Sequence, residues 1–305
     1  MDDIKTSKKS ENKTFKESFA NFYDKSYKFL LIIPILLLIL SLGNLGYTYL
    51  KTGDFIKKDI TLTGGTSITI LREPPENFEF ELKKTFSDVS VRKLTDLRTN
   101  KVNSFIIETS AKPEEIQPTI EKLLNYKLNE KNSSIEFTGS SLSKNFYKQL
   151  IAALIISFIL MSLVVFLLFR TFIPSIAVIF AAFADIVMSL ALVNILGMKI
   201  SAAGIAAFLM LIGYSVDTDI LLTSRALRKK ELSLNQRIYS AFKTGILMTL
   251  TALIAVTPIF FITSGIPDSF RQIFIILAIG LFSDILNTWL TNAGLIKWYC
   301  ESKRI

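Results

Sequence analysis

The chain has 305 residues, half of them hydrophobic and a fifth charged, with a formal net charge of +9, one cysteine and no histidine. An ordinary soluble protein is strained by that balance and by a mean hydropathy of +0.43. Ser-His catalysis and histidine proton relays are excluded, zinc binding is disfavoured, and the lone Cys300 cannot form an intrachain disulfide.

In chain order, residues 1–28 form a hydrophilic tail carrying Lys5, Lys8, Lys9, Lys13, Lys16, Lys25 and Lys28. The apolar run that follows, Phe29 to Leu50, is too long for a signal-peptide core and lacks a small-residue cleavage site, so it is read as a retained membrane helix. Residues 51–148 are polar and too patterned for a linker. Ile60 to Leu71 alternates and reads as a strand, Asn77 to Phe86 as a helix, Val89 to Leu97 and Ser104 to Ser110 as strands. Pro113 to Asn129 opens with Pro-Glu-Glu and reads as a helix, and Ser134 to Thr138 as a last strand. That β-α-β-β-α-β order predicts a ferredoxin-like α+β domain. The glycine pair in Leu62-Thr63-Gly64-Gly65-Thr66 predicts a bend or a close backbone approach.

Residues 149–296 hold five further apolar runs: Leu150 to Phe169, Phe172 to Leu196, Ala202 to Ser224, Ala241 to Thr263 and Ile273 to Ile296. They are apolar all round, unlike the one-sided helices of a soluble core. The expected fold is therefore a six-helix membrane protein with the α+β domain inserted between helices one and two. Small residues over Ser201 to Ala207 suit tight helix packing. Cations gather in the N-terminal tail, in the segment with Arg225, Arg228, Lys229, Lys230, Arg237 and Lys243, and in a tail at 297–305 with Lys297, Lys303 and Arg304. The short segments Gly197 to Ser201 and Ser264 to Arg271 carry only Lys199 and Arg271. The positive-inside bias then predicts both termini in the cytoplasm of a cell-membrane protein and the inserted domain outside it. Anionic lipid explains the cations at the helix ends, so no nucleic-acid partner is expected.

Carboxylates inside apolar runs carry the functional signal, because a charge at the bilayer centre costs at least ~2.5 kcal/mol. Asp185 sits mid-way along the third run, Asp217 and Asp219 in the second half of the fourth, and Asp284 mid-way along the sixth with Asn287 and Thr288 on its face. Gly213 and Asp217 share a face, predicting a neighbouring helix against both, while Asp219 points the other way. Arg225 is expected to snorkel or to pair with a carboxylate. A proton-responsive polar path competes here with purely structural hydrogen bonding between helices. No nucleotide-binding glycine loop and no Gly-x-Gly-Asp signature of intramembrane aspartyl proteases occurs, so no enzyme, cofactor or metal is expected.

Taken together, Thr63 to Thr66, Ala184-Asp185, the run Gly213-Tyr214-Ser215-Val216-Asp217-Thr218-Asp219 leading to Arg225, and the ending Phe282 to Asn292 resemble the SecF family of protein-export membrane proteins, in its archaeal branch. The resemblance covers nearly the whole chain. It implies pairing with a SecD-like subunit in a bundle of the resistance-nodulation-division type and association with the SecYE channel. It also implies the use of proton-motive force to help an unfolded protein leave that channel. By that match Asp185 is the expected proton carrier and Arg225 a regulating cation. The fourth-run motif departs from the family's common form: Asp217 stands where Asn is usual, Thr218 where Asp is usual, Asp219 where a hydroxyl residue is usual, and Ser224 where Asp precedes the arginine. An independent proton-coupled exporter of small molecules or lipids, and a passive scaffold, are the alternatives.

Overall fold

The structure is a computed structural model that describes residues 26–95, 102–228, 232–260 and 268–304. The lysine-rich part of the N-terminal tail before residue 26, Lys229, Lys230, the end of the fifth apolar run after residue 260 and residues 264–267 of the following segment lie outside those bounds.

Six helices are long and apolar enough to cross a membrane. The first, Ser26–Thr52, includes the regular helix α1 (Ile32–Thr52), which Gly53 closes in the left-handed region with its N–H on the Tyr49 carbonyl. A short helix α2 (Ile60–Thr63) leads into the polar segment, where β1 (Gly65–Ile70), α3 (Phe78–Thr85), β2 (Ser90–Thr95), β3 (Val102–Thr109), α4 (Pro113–Leu124) and β4 (Ser133–Thr138) follow. The remaining spans are α5 (Ser140–Phe169), α6 (Phe172–Ile195), α7 (Ala202–Leu227), α8 (Leu234–Val256) and a last one built from α9 (Asp268–Leu286), a π-helical turn (Asn287–Asn292) and α10 (Ala293–Lys303).

The four strands form one antiparallel sheet in the order β2-β3-β1-β4. Ile68 pairs across with Ile107 and Ile135, and Ile68, Ile70 and Ile107 pack with Phe78 and Leu82 of α3 and Ile116, Ile120 and Leu124 of α4 into one core, while Ile135 at the sheet edge is exposed. The strand expected over Ile60 to Leu71 is half helix. Asp59 caps α2 by accepting from the Ile60 N–H at 2.5 Å, and Gly64, at φ +90°, ends it before β1 begins. Helix α4 stops five residues short of the expected Asn129 because Asn125 takes the left-handed conformation, and the Glu121 side chain accepts the Leu128 N–H at 3.0 Å.

Asp88 accepts from the Thr109 hydroxyl at 3.0 Å and the Ser110 N–H at 2.6 Å, tying the start of β2 to the end of β3. Hydrogen bonding by Ser110, then Thr109, holds its carboxyl below the usual carboxylate range against a smaller opposing effect of burial. A depressed folded-state pKa adds stability above the ordinary carboxylate pKa, and that stability disappears as pH falls through the lowered value. Asp88→Asn is therefore expected to lower the protease resistance of this domain at neutral and alkaline pH and, for that reason, to flatten part of its fall on the acid side.

Among the spans α6 and α7 are the most enclosed, whereas α1, α5 and α8 turn most of their surface outward. Leu36, Leu40, Ile155, Ile159, Leu163, Leu167, Leu247 and Ile254 form part of the resulting exposed apolar belt. A surface of that kind is stable in hydrocarbon and aggregates in water. Ends of the spans differ from the expected ones where polar residues continue the backbone hydrogen bonding. Ser233 and Gln236 make a capping box that starts α8 at Leu234, before the expected Ala241. The stretch expected as a tail at 297–305 is helical through Lys303, and Lys297 is buried beside the ring of Tyr27, 4.9 Å from its centroid.

Candidate functional site

Three of the carboxylates singled out in the sequence meet inside the bundle. Asp185 on α6, Asp219 on α7 and Asp284 on α9 are each 0% exposed. Asp185 accepts from the Ser215 hydroxyl of α7 and, at 2.7 Å, from the Asn287 amide of the π-helical turn. Asp219 Oδ1 accepts from the Asn292 amide at 2.8 Å and lies 2.9 Å from the Thr288 hydroxyl, which is also 3.0 Å from Asp284 Oδ1. Asp219 Oδ2 has no hydrogen-bond partner among the described residues, and none of the ion pairs found among them involves these three carboxyls.

The π-helical turn explains how one helix serves two carboxylates on two others. Its i→i+5 bonding brings residues five apart onto one line, so Asn287 and Asn292 both face inward with Thr288 between them. Hydrogen counting then limits the charge states. A threonine hydroxyl has one hydrogen to give, and Asp219 and Asp284 both sit at hydrogen-bond distance from it. With both carboxylates ionised, one of the two contacts is between lone pairs; a proton on either carboxyl lets that group donate to Thr288 and completes the chain.

The remaining sequence candidates lie elsewhere. Asp217 is exposed on the outward side of α7, and nothing stands within 4 Å of a Cβ placed at Gly213, so the neighbouring helix expected against this face is absent among the described residues. The face is shared as the spacing requires, but α6, α8 and α9 pack on the opposite side, where Asp219 is. Among the described residues Arg225 pairs with no carboxylate. Six residues beyond Asp219, or about 9 Å along the axis, it donates to the Ser240 carbonyl at 2.7 Å, the Ser240 hydroxyl at 3.1 Å and the Thr244 hydroxyl at 3.0 Å, all on α8. Gly64 and Gly65 are far from the carboxylates in sequence and in role: Gly65, at φ +138°, lies where β1 runs hard against the Thr109 carbonyl of β3.

A second polar assembly, which sequence spacing gave no means to find, straps the sheet to the bundle. The connection between α6 and α7 pairs with the segment before α2: Asp59 N–H donates to the Ile200 carbonyl at 2.9 Å and Ile200 N–H to the Lys57 carbonyl at 2.6 Å. Asn194 at the end of α6 donates to the Phe55 carbonyl at 2.8 Å. Buried Glu108 of β3 joins Arg92 at 2.9 Å within the sheet and Lys199 on the bundle side. Gln272 of α9 holds the same connection from beneath, accepting the Ser201 N–H at 2.7 Å and donating to the Lys199 carbonyl. Apart from Arg92 and Glu108 within the sheet, the partners lie 71 or more residues apart, which leaves no periodic trace in the sequence.

Residues 119–302 match the family described as Protein export membrane protein SecD/SecF, C-terminal. The chain is similar to a Methanocaldococcus jannaschii protein named Protein-export membrane protein SecF, 36% identical over 289 residues that make up 92% of this chain and 98% of the relative. It is likewise similar to a Pyrococcus furiosus protein of the same name, 33% identical over 94% of this chain and 96% of the relative. Its fold resembles the crystal structure of a Thermus SecDF, described as a translocon-associated membrane protein, with a TM-score of 0.70 and 18% identity. That match covers 91% of this chain and 38% of the solved one, so this chain spans well under half of it.

Proposed function

Because the chain belongs to the SecD/SecF family of protein-export membrane proteins, we propose that it is the SecF-type accessory subunit of a Sec translocase, working with a SecD-like subunit and the SecYE channel. In this role it takes up and releases protons at the Asp185, Asp219 and Asp284 cluster and uses that exchange to help an unfolded protein leave the channel. One observation carries the reading: three buried carboxyls on three helices, joined through Ser215, Asn287 and a Thr288 hydroxyl whose single hydrogen cannot serve two acceptors. Gaining or losing one proton rearranges hydrogen bonds that hold α6, α7 and α9 together, and in a low dielectric that rearrangement is worth several kcal/mol.

Both termini lie in the cytoplasm and the sheet domain outside it, as the lysine-rich tail and the cation-poor connections favour. The domain is a ferredoxin-like sandwich covering about residues 51–148, a reading supported by its strand order and by α3 and α4 sharing one core face. Arg225 serves as a positioning cation that holds α7 to α8. Movement in the bundle reaches the outer domain through the strap at Asn194, Lys199 and Ile200, since these residues follow Asp185 on α6 and bond directly to Phe55, Glu108 and Lys57.

Glu108→Gln tests the strap. It removes the charge that two cations share and is expected to cost about 1–3 kcal/mol at that contact. Amide exchange in residues 197–201 should rise and proton-driven export should fall several-fold, with the carboxylate cluster intact. Unchanged exchange together with unchanged export would remove the strap from the account. The function itself is tested by reconstituting the purified complex with a Sec channel in vesicles. An imposed proton gradient is expected to raise the yield of completed translocation, and no stimulation over channel-only vesicles would overturn the proposal. Absence of a SecD-like protein from the purified complex would instead favour the independent exporter.

A further inference from the structure

We propose that Tyr27, at the start of the first span, and Lys297 and Glu301 of α10 are positioning residues: their contact keeps the π-helical turn wound and so holds Asn292 against Asp219. The inference rests on the reading that the carboxylate cluster exchanges protons, and it names the part of the protein that sets the cluster's hydrogen bonding from a distance. Lys297 is 1% exposed and Tyr27 5%. The Tyr27 hydroxyl donates to Glu301 at 2.7 Å, and the Lys297 ammonium lies 4.9 Å from the centre of the Tyr27 ring and 4.0 Å from Glu301. About one turn further into the span, Leu31 occupies the space beside Gly294, 2.9 Å from where a Cβ would sit. Gly294, Lys297 and Glu301 recur at helical spacing on one face of α10, and Tyr27 and Leu31 do so on the facing helix, so the two meet along a continuous seam.

A lysine at the end of a span ordinarily runs its ammonium out to water and lipid headgroups. Lys297 instead gives up that hydration for an aromatic ring and a carboxylate at the limit of ion-pair distance, an exchange of little net stability. What the buried contact fixes is the rotational setting of one helix on the other. That setting matters because the π-helical turn comes immediately before α10. A π turn holds one residue more than an α turn, and rewinding Asn287–Asn292 as α-helix would swing everything after it by about 100°. On the near side the span is pinned by Asn287 on Asp185 and by Trp289, whose ring lies 2.4 Å from where a Cβ at Gly245 would sit. On the far side the pins are Asn292 on Asp219, Leu31 on Gly294 and the Tyr27 contact. A swing of that size would carry Gly294, Lys297 and Glu301 off the face of α1 together, so keeping them there keeps the turn wound. Asn292, which closes the turn, is thereby held 2.8 Å from Asp219.

The test uses the full chain in sealed vesicles, with Lys297→Met, Tyr27→Phe, Asn292→Ala and the double variant of Lys297→Met with Asn292→Ala. Amide exchange is followed along the last span, and the infrared carboxyl band is followed while the pH on one side is stepped. Methionine fills much of the lysine's volume without a charge, so Lys297→Met is expected to assemble. Exchange in residues 287–292 should rise on the order of tenfold, with the other spans unchanged. The carboxyl band should shift as it does in Asn292→Ala, and Lys297→Met should add nothing further once Asn292 is replaced. A contact that merely holds two helices together would leave the band in place, or would add to Asn292→Ala independently. Either of those results, or exchange raised evenly over all spans, overturns the inference. Should Lys297→Met fail to accumulate, Tyr27→Phe, which keeps the ring and removes one hydroxyl, decides by the same two readouts. A band that responds alike in the unaltered protein and in the variants of this contact strikes out the inference and leaves the proton reading standing. If no band responds in the unaltered protein, both fall.

Discussion

Asp185→Asn is expected to abolish the response of export to the proton gradient, lowering secretion in energy-poor cells to the level of cells lacking the protein, while the chain still assembles. Asparagine has nearly the shape of aspartate and can keep a hydrogen bond to either Ser215 or Asn287, so the loss of stability stays within about 1 kcal/mol. What it cannot do is bind and release a proton. A Thr288→Val variant makes the complementary case: both Asp219 and Asp284 lose the hydroxyl they share, two buried carboxyls are left short of a partner, and assembly as well as coupling should weaken. Secretion assays under reduced proton-motive force, with membrane levels of each variant measured in parallel, separate the two outcomes. Full stimulation in a well-assembled Asp185→Asn protein would contradict the role assigned to that carboxyl.

Gly65→Ala is expected to unfold the sheet domain without touching the bundle. A Cβ at this position falls 2.3 Å from the Thr109 carbonyl oxygen and 3.2 Å from its carbon, both backbone atoms of the paired strand, and φ is +138°. Neither relief by a side-chain rotation nor a relaxed backbone is available, so the cost is about 3 kcal/mol or more, a large share of what a domain of this size holds. Limited proteolysis should then cleave residues 60–138 in the membrane-inserted protein. Gly43→Ala provides the control, since nothing lies within 4 Å of a Cβ there and alanine favours the helix of α1. Equal protease resistance in the two variants would mean that the β1–β3 approach is not as close as described.

The spanning helices were legible in the sequence because the hydrocarbon sets both their length and their composition, and only their ends moved: α8 starts after its Ser233 cap at Leu234 and not at Ala241, and α5 at Ser140 and not at Leu150. Asp185, Asp219 and Asp284 were legible for the same reason, as carboxylates that lipid would reject. Which of the two α7 carboxylates faces inward was not, since helical spacing says that Asp217 and Asp219 diverge without saying which side the other helices occupy. The π-helical turn at Asn287–Asn292 was hidden as well: its residues are ordinary in composition, and the wider turn appears only once Asp185 and Asp219 compete for the same helix. Short helix α2 was masked by the β-branched residues of Ile60–Thr63, where the Asp59 cap and the Gly64 stop outweigh propensity. Long-range pairs such as Glu108 with Lys199 or Tyr27 with Glu301 leave no local pattern at all.

The central claim, that the buried cluster holds an exchangeable proton, is most directly tested by infrared difference spectroscopy on the protein in sealed vesicles while the pH on one side is stepped. The account predicts a protonated-carboxyl band that responds to the step, is lost or altered in Asp185→Asn, and shifts when Thr288 is replaced by valine. A spectrum with no responding carboxyl band, or one identical in a variant lacking all three aspartates, would contradict it.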